Sequence, residues 1–430
     1  MENYSLFSTQ SLEKNYFGNT TITYKWVIDN METNSKDFRL KRKDSKISKI
    51  SFNDISGGKG FVSNVYKVTV FFDNNDECCY EFILKIPIFD HNTVLKDLGM
   101  EKEKTNDCDF VIKYLIKLHS QECLFYSKIV NEIKDLKVPK CHGCCEVIPL
   151  EKSGAIIMDL IDTSEADIIS IKYSYNIDQA KSVIDEIFKL QLFSYTDGKN
   201  WKSKLQYKTN VNLTTVLKNI VIMHWENCKK IIPKYLLNEI EEDFECLLSN
   251  YPEIGIYHIY HLPEAQGDNA VICHGDMWIN NIMFSKDSKG RFTNDVKGII
   301  DWQLIYEGAI GVDLARHLAV NCDPDIRHDI ENEFLPEYFN KLKNEVIKRN
   351  ESFDMTYETF RRIYDFCYID QCVYIIIFIG MCIRQLNLLQ EDTNIWEAKK
   401  FFFSSKIYFG IRDAVDRVKI LKPEWLIKKN

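Results

Sequence analysis

The spacing of apolar residues changes along this chain of 430 residues, and that change limits its possible folds more than any other feature. Between Val62 and Phe72, apolar side chains mostly alternate with polar ones, which is the two-residue period of a β-strand. A polar turn over 73–76 and an apolar run over 80–89 follow. We therefore predict an antiparallel β-meander, preceded by the glycine-rich segment 56–60.

Helical spacing comes next. Apolar residues at steps of three and four run from Val111 to Ile129 and predict a helix. Short strands are predicted over 138–149 and 155–158. Beyond Asp162 the chain has mainly helical spacing, apart from one β-rich segment over 271–302.

These patterns predict an α+β fold with a bilobal layout. An N-terminal extension (1–50) precedes an antiparallel, β-rich N-lobe (51–160), and a larger helical C-lobe (161–430) follows. The border is expected near Leu160-Ile161. Interfaces in such layouts commonly hold ligands.

The charge balance argues against a nucleic-acid partner. Lysine and arginine total 55 and aspartate and glutamate 63, which gives a net charge of −8. General nucleic-acid binding needs a surplus of cations that neutralise phosphates. Hydrophobic residues make up 45% of the chain, which excludes a disordered protein.

The 14 cysteines are expected to be reduced thiols in the cytoplasm. The first residues, MENYSLFSTQSLEKN, lack the basic and apolar regions of a signal peptide. The longest apolar run, Val373 to Ile383, has 11 residues, whereas a membrane span needs about 20. We therefore predict a buried core helix there and no membrane partner.

Cys141-His142-Gly143-Cys144-Cys145 has the composition of half a zinc site. A structural zinc site needs a second ligand pair at matching spacing, and none is clearly placed in the sequence. Ordinary strand or loop cysteines are the favoured interpretation.

The segment 271–302 contains the residues that best indicate chemistry. Residues 282–285 and 296–300 are expected to pair as a hairpin with its turn near Gly290-Arg291. Antiparallel pairing then places Asn281 and Asp301 at the same end, and Asp276 lies five residues before Asn281. Three oxygen-bearing side chains can therefore converge.

Phosphoryl transfer uses such a set of oxygens. Asn281 and Asp301 provide the hard ligands that Mg²⁺ prefers. Asp276 would take the proton of an acceptor hydroxyl while the phosphoryl group moves.

Two charged residues stand at apolar positions. Lys85 lies between Leu84 and Ile86 in a predicted strand, and Glu122 lies in the apolar stripe of the predicted helix. A buried unpaired charge costs several kcal/mol, so we expect the two to pair, with the lysine also touching a phosphate. The alternative is that Lys85 extends to water and Glu122 lies at the edge of the stripe.

These residues resemble a known group of kinases. His274-Gly275-Asp276 with Asn281, followed by Ile300-Asp301-Trp302, resembles the signature of the aminoglycoside phosphotransferase and choline kinase group. The ecdysteroid kinase-like (CHK kinase-like) family is the closer match. Its pattern is similar to residues 58–63, to Phe82-Ile83-Leu84-Lys85, to Glu122 with Phe125-Tyr126, and to Ile300-Asp301-Trp302-Gln303, and the resemblance spans roughly residues 50–420.

The resemblance implies a protein-kinase-like fold that binds ATP between the lobes. It implies that Asp276 is the catalytic base, that Asn281 and Asp301 hold Mg²⁺, and that Lys85 pairs with Glu122 and binds the α- and β-phosphates. Asp313 would brace the catalytic loop, and His274 would belong to the scaffold. The remaining implied nucleotide contacts are Gly58, Gly60, Phe61 and Ser63 for the phosphates, and Met158, Asp159 and Ile161 for adenine.

The predicted function is therefore transfer of the ATP γ-phosphoryl group to a hydroxyl of a small molecule. Gln303 replaces an acidic residue of choline kinases, which disfavours choline, and no activation segment is evident, which disfavours a protein substrate. Aromatic residues over 355–410 could line a pocket for a steroid-like acceptor, although such residues at helical spacing are more often core. A nucleotide-binding scaffold without catalysis and a metal-dependent hydrolase are the alternatives.

Overall fold

A computed structural model describes residues 9–55, 62–73, 79–88, 108–149, 151–205, 211–385 and 393–429. The chain divides into two compact units, and neither unit is one continuous stretch. The first unit comprises Met1–Asn131, Val138–Thr163 and Asp301–Leu304. The second comprises Glu132–Lys137, Ser164–Ile300 and Ile305–Asn430.

The first unit is built on one antiparallel sheet of five strands. They are β1 (Ile47–Asp54), β2 (Ser63–Phe72), β3 (Cys79–Pro87), β4 (Cys141–Cys145) and β5 (Ala155–Asp159). The strand order is β1-β2-β3-β5-β4. The predicted meander is present, because β2 pairs with both β1 and β3 in antiparallel register.

Helices from the N-terminal region complete the core of this unit. They are α1 (Thr9–Lys14), α2 (Tyr24–Asn34) and α3 (Lys36–Arg42). Met31 and Phe38 are fully buried and join the same apolar cluster as Val68 and Phe82 of the sheet. Residues assigned from sequence to an N-terminal extension thus supply part of the core, although Leu40 of α3 is exposed.

Helix α4 (Cys108–Ser127) is the predicted helix after the meander. Its Phe125 ring stacks on Trp302, with 3.9 Å between ring centroids and planes 11° apart. This stacking buries Trp302 and holds the short segment Asp301–Leu304 in the first unit. The segment includes the 3₁₀ turn Trp302–Leu304.

The second unit contains two small antiparallel sheets and most of the helices. Strand β8 (Ile282–Lys286) pairs with β6 (Ala166–Ile168) and with β9 (Phe292–Ile299). The predicted hairpin is therefore present, and Gly290 takes the left-handed conformation that its turn requires (φ 73°). Strand β7 (Val271–Cys273) pairs with β10 (Tyr306–Gly308).

The helices of the second unit begin at α5, where Asn176 and Gln179 form a capping box. They are α5 (Ile177–Tyr195), α6 (Lys199–Lys202), α7 (Val211–Lys229), α8 (Lys234–Ile256), α9 (Leu262–Gln266), α10 (Val312–Asn321), α11 (Pro324–Asp329), α12 (Leu335–Lys348), α13 (Tyr357–Gln385) and α14 (Thr393–Leu421). The α+β class, with a β-rich first part and a helical second part, is confirmed.

Helix α13 contains the apolar run noted in the sequence. It is 29 residues long, much longer than the run, because uncharged polar and paired charged residues extend it. Among the described residues, its segment Tyr357–Ile383 is the one helix long and apolar enough to cross a membrane, and 78% of its most apolar window is buried in the protein. Phe360, Tyr364 and Tyr368 are fully buried, as core residues are.

A buried histidine in α10 links three segments of the second unit. His317 Nε2 lies 3.1 Å from the Ala180 carbonyl of α5 and donates to it, and His317 Nδ1 accepts from Asn321 Nδ2 at 2.9 Å. Asn321 Nδ2 also donates to the Met277 carbonyl. Only neutral imidazole satisfies both ring nitrogens in this way, and burial lowers the pKa of His317 to about 3.

We predict that His317 contributes to acid unfolding. Its folded pKa lies below the unfolded value, so its contribution is full above about pH 6.5 and is lost as the pH falls towards 3. Between pH 7 and pH 4 this loss is about 3 kcal/mol of unfolding free energy. In urea titrations, His317→Gln should lose correspondingly less stability over that range than the wild type.

His261 provides the control, because its side chain is 60% exposed. His261→Gln should show the same pH dependence as the wild type. Equal slopes for His317→Gln and the wild type would contradict the assignment.

Candidate functional site

The first unit holds a buried group of three charges around Lys85. Lys85 Nζ donates to both carboxylate oxygens of Glu122 at 2.8 Å and to Asp301 Oδ1 at 2.5 Å. The Lys85 and Glu122 side chains are 9% and 1% exposed. The predicted contact between these two residues is present, and the alternative in which Lys85 reaches water is wrong.

Strand geometry positions Lys85. It lies in β3, opposite Val65 of β2 and Ile156 of β5. Side chains of a strand alternate between the two faces of the sheet, and Leu84 points into the apolar cluster. Lys85 therefore points to the other face, which α4 and Asp301 occupy.

Helix α4 and the segment after residue 300 supply the two carboxylates. Glu122 also accepts a hydrogen bond from the backbone N–H of Trp302. Asp301 has φ 63°, a left-handed conformation that is uncommon for a residue with a side chain, and its Oδ2 accepts from Gln303 Nε2 at 3.2 Å. Such strain persists where surrounding contacts enforce it, often at functional sites.

The electrostatics of the trio favour a charged lysine. Burial by itself lowers the pKa of Lys85, but Asp301 and Glu122 more than offset this, and the pKa lies above its ordinary value. Burial raises the pKa of Glu122, and the Lys85 ammonium opposes that rise. Two carboxylates thus share one ammonium.

The second unit holds the loop that follows β7. His274 is fully buried, accepts from the Asp276 N–H at Nδ1 (3.1 Å), and donates from Nε2 to the Ile300 carbonyl (3.1 Å). Gly275 has φ 82°, a conformation that favours glycine. Both ring nitrogens of His274 are engaged, as expected for a scaffold residue.

Asp313 braces this loop from the N-terminal end of α10. Its Oδ2 accepts from the His274 N–H at 2.7 Å and its Oδ1 from the Gly275 N–H at 2.9 Å. Burial raises the pKa of Asp313 to about 6, although these two backbone hydrogen bonds oppose the rise. Asp313 therefore occupies the bracing position that the resemblance implies.

Asp276 and Asn281 are hydrogen-bonded within the second unit. Asn281 Nδ2 donates to the Asp276 carbonyl at 2.9 Å and to Asp276 Oδ2 at 3.1 Å. The Asp276 side chain is 23% exposed, so it remains open to solvent. The Ile300 N–H donates to the Asn281 carbonyl, and Asp301 is the next residue along the chain.

No pattern in the sequence indicates the cation that lies beside Asp276. Arg316 Nη1 lies 3.7 Å from Asp276 Oδ1, and its guanidinium lies 3.4 Å from the ring centroid of Tyr374 in α13. Arg316 is a buried residue of α10. Asp276 and Tyr374 are far from it in sequence, so only the tertiary fold brings them into contact with it. Arg316 can fix the direction of the Asp276 carboxylate.

The other predicted nucleotide contacts differ in outcome. Gly58, Gly60 and Phe61 lie outside the described residues. Ser63 begins β2 and is buried, Met158 is buried in β5, and Ile161 is half-buried just after β5. The Asp159 N–H donates to the Lys140 carbonyl within the first unit, and the predicted contact of the Asp159 backbone with adenine stays a prediction.

Each unit offers oxygen atoms of the kind that magnesium prefers. In the second unit, Asn281 uses its amide nitrogen on Asp276, which leaves its Oδ1 for a cation. In the first unit, Asp301 offers carboxylate oxygens. Magnesium commonly takes one or two protein oxygens and completes its shell with phosphates and water. Within the described ranges, no group of three or more His, Cys, Asp or Glu side chains is placed to hold a metal by itself.

The chain belongs to the family DUF1679, whose model is described as "Uncharacterized oxidoreductase dhs-27" and matches residues 19–406. It is 25% identical over 410 residues to the Caenorhabditis elegans protein of that description, covering 91% of this chain and 47% of the relative. The chain thus spans about half the length of that relative.

The chain is also similar to a second relative and to a solved structure. "Uncharacterized kinase-like protein D1044.1" of Caenorhabditis elegans is 20% identical, with 75% of this chain and 81% of that protein covered. The structure of a GDP complex of an aminoglycoside 2′-phosphotransferase mutant is similar with a TM-score of 0.40 and 11% identity, over 84% of this chain and 95% of that chain.

We predict that Lys85 is needed for the stability of the first unit. Lys85→Met leaves Glu122 buried without its cation, which should cost about 3–5 kcal/mol of unfolding free energy. The double variant Lys85→Met/Glu122→Leu should recover much of this loss, because it removes the buried charge as well. Urea unfolding of the three proteins gives the comparison.

Lys67 is a matched control in the same sheet. Its ion pair with Glu81 is at the surface, with side chains 37% and 35% exposed. Lys67→Met should cost less than about 1 kcal/mol. An equal loss of unfolding free energy in Lys85→Met and Lys67→Met would contradict the prediction that the buried ion pair stabilises the first unit.

Proposed function

We propose that this protein is an ATP- and Mg²⁺-dependent kinase of the ecdysteroid kinase-like type, which transfers the γ-phosphoryl group to a hydroxyl of a small molecule. The observation that carries the proposal is the buried ammonium of Lys85, held by Glu122 and Asp301 in the first unit. A lysine buried only for stability would need one counter-ion, and a second carboxylate in a strained backbone conformation adds cost without adding stability.

In this proposal Lys85 provides positive charge for the α- and β-phosphates, and Glu122 holds the lysine in place. Asp301 and Asn281 provide oxygens for the metal. Asp301 Oδ1 also accepts from Lys85. Asn281 uses its amide nitrogen as a donor to Asp276, so its Oδ1 is available to the metal. Bound Mg²⁺ supplies neutralisation of phosphate charge during transfer.

Asp276 is the proposed base toward the acceptor. Asn281 fixes Asp276 Oδ2, Arg316 lies near Oδ1, and Asp313 holds the backbone of residues 274 and 275. The side chain is thereby pre-oriented while part of it stays exposed. A base of this kind accepts the hydroxyl proton as the phosphoryl group moves, and no covalent intermediate with the protein is required.

The acceptor is proposed to be a small hydroxylated metabolite, steroid-like or otherwise, used in the cytoplasm. The twelve cysteines with described side chains are all free thiols, which fits a reducing compartment. The oxidoreductase in a relative's name belongs to a protein of which this chain covers 47%. The buried charges of Lys85, Glu122 and Asp301 are explained by phosphate and metal binding without a redox reaction.

The test is phosphorylation of an unknown acceptor. The protein is incubated with Mg²⁺, γ-labelled ATP and a metabolite extract, and labelled products are identified by mass. Asp276→Asn keeps the shape of the side chain but removes the base, and we expect product formation to fall by about 10²–10⁴-fold. ATP binding, measured separately by thermal shift, should be retained.

Asp295→Asn is the matched control, because Asp295 is an exposed carboxylate on β9 of the same hairpin. It should form product at the wild-type rate. ATP binding without product for any extract would favour the non-catalytic scaffold. Phosphate release that needs no acceptor and persists in Lys85→Met would favour a hydrolase.

A further inference from the structure

Three thiols meet between α4 and β4 of the first unit. The side chains of Cys123 and Cys141 interact with the Cys144 thiol and lower its pKa. Cys144 Sγ also lies 3.7 Å from the Cys123 carbonyl oxygen. We name Cys123, Cys141 and Cys144 the thiol cluster.

Local structure explains why the thiols meet. On α4, His119, Cys123 and Ser127 are spaced by four residues, so they lie on one face of the helix. On β4, the register shifts between Cys141 and Gly143, where an extra residue interrupts the pairing with β5. This bulge turns Cys141 and Cys144 to the same face, which regular alternation over three residues would not do.

His119 closes the inner end of the cluster. Its side chain is buried, and its Nε2 lies 2.9 Å from the Cys145 carbonyl and 3.4 Å from Cys123 Sγ. Gly154 leaves the room for it, because a Cβ there would lie 2.3 Å from His119 Nε2. The helix and the strand are therefore held at a fixed distance where the sulfurs meet.

The members of the cluster differ in exposure and acidity. Cys123 is 3% exposed, whereas Cys141 and Cys144 are half-buried. Hydrogen bonds from Cys123 and Cys141 lower the pKa of the Cys144 thiol. An accessible, acidic thiol with a second thiol beside it is the arrangement of redox-sensitive cysteines, and no metal site is formed by the described side chains.

We propose that the thiol cluster is an oxidation site at which Cys144 and Cys123 form a disulfide. The oxidant is a peroxide. The Cys144 sulfur attacks the O–O bond of hydrogen peroxide and becomes a sulfenic acid while one water leaves. The Cys123 sulfur then displaces the hydroxyl group as a second water, so that two thiols and one peroxide give one disulfide and two waters.

The disulfide joins the helix to the sheet at a sensitive place. Cys123 is the residue after Glu122, which holds Lys85. A bond from Cys123 to β4 fixes α4 at the turn that carries the Glu122 carboxylate. Oxidation therefore acts on the same helix turn as the proposed nucleotide contacts, although the sulfur chemistry itself does not depend on the proposed function.

The test is peptide mapping after oxidation of the full chain with hydrogen peroxide. We expect a peptide pair linked through Cys123 and Cys144, which is lost again after reduction with a dithiol. Cys144 should lose its free thiol about ten times faster than Cys79, a half-buried thiol of β3. Peptide mapping detects only the oxidation state of the cysteines. The expected result is therefore the same whether or not the protein has kinase activity.

Cys145→Ser is the matched control, because Cys145 is adjacent to Cys144 but packs against the main core of the unit. It should form the disulfide as the wild type does, and Cys144→Ser should not. Oxidation of Cys144 only to sulfinic or sulfonic acid in the wild type would overturn the proposal. A disulfide to Cys141 instead, or loss of thiols at equal rates along the chain, would do the same.

Discussion

The first unit depends on how the Lys85 ammonium is neutralised inside it. Strand β3 must place this side chain on a buried face, and two carboxylates from distant parts of the sequence must reach it, because an uncompensated buried charge is far more costly than most packing defects. Stacking of Trp302 on Phe125 and the hydrogen bond from Trp302 to Glu122 bring one of these segments to the helix. Ion pairing and aromatic packing thus secure the same few residues.

In the second unit, hydrogen bonds hold the loop after β7 in one conformation, while the Asp276 carboxylate stays partly exposed to solvent. Asp313 binds two consecutive backbone N–H groups of this loop, and His274 binds within it. His317 and Asn321 then connect its far end, at Met277, to α5. A fully buried frame therefore supports the partly exposed Asp276.

Much of this could be predicted from the sequence where the signal is local. The hairpin of β8 and β9 follows from alternation and from turn residues such as Gly290, and Lys85 and Glu122 stand out because charges rarely interrupt apolar patterns. The contacts of Arg316 could not be predicted, since they join a loop and two helices that are far apart in sequence. The helices before β1 were not predicted, although Val27, Ile28 and Met31 of α2 have helical spacing in the sequence and are buried. The bulge in β4, which decides which thiols meet, was not predicted, although Gly143 lies at it and a glycine inside a strand often marks a bulge.

The insertion of Asp301–Leu304 into the first unit has a practical consequence. A polypeptide that stops at Thr163 contains every strand of the five-stranded sheet and yet lacks part of its own interior. The Phe125 ring would lose its stacking partner, and Lys85 would keep one carboxylate of two. Dissecting this protein by truncation would therefore yield an N-terminal fragment with an exposed aromatic surface, and such a fragment is expected to aggregate before its ligand binding can be studied.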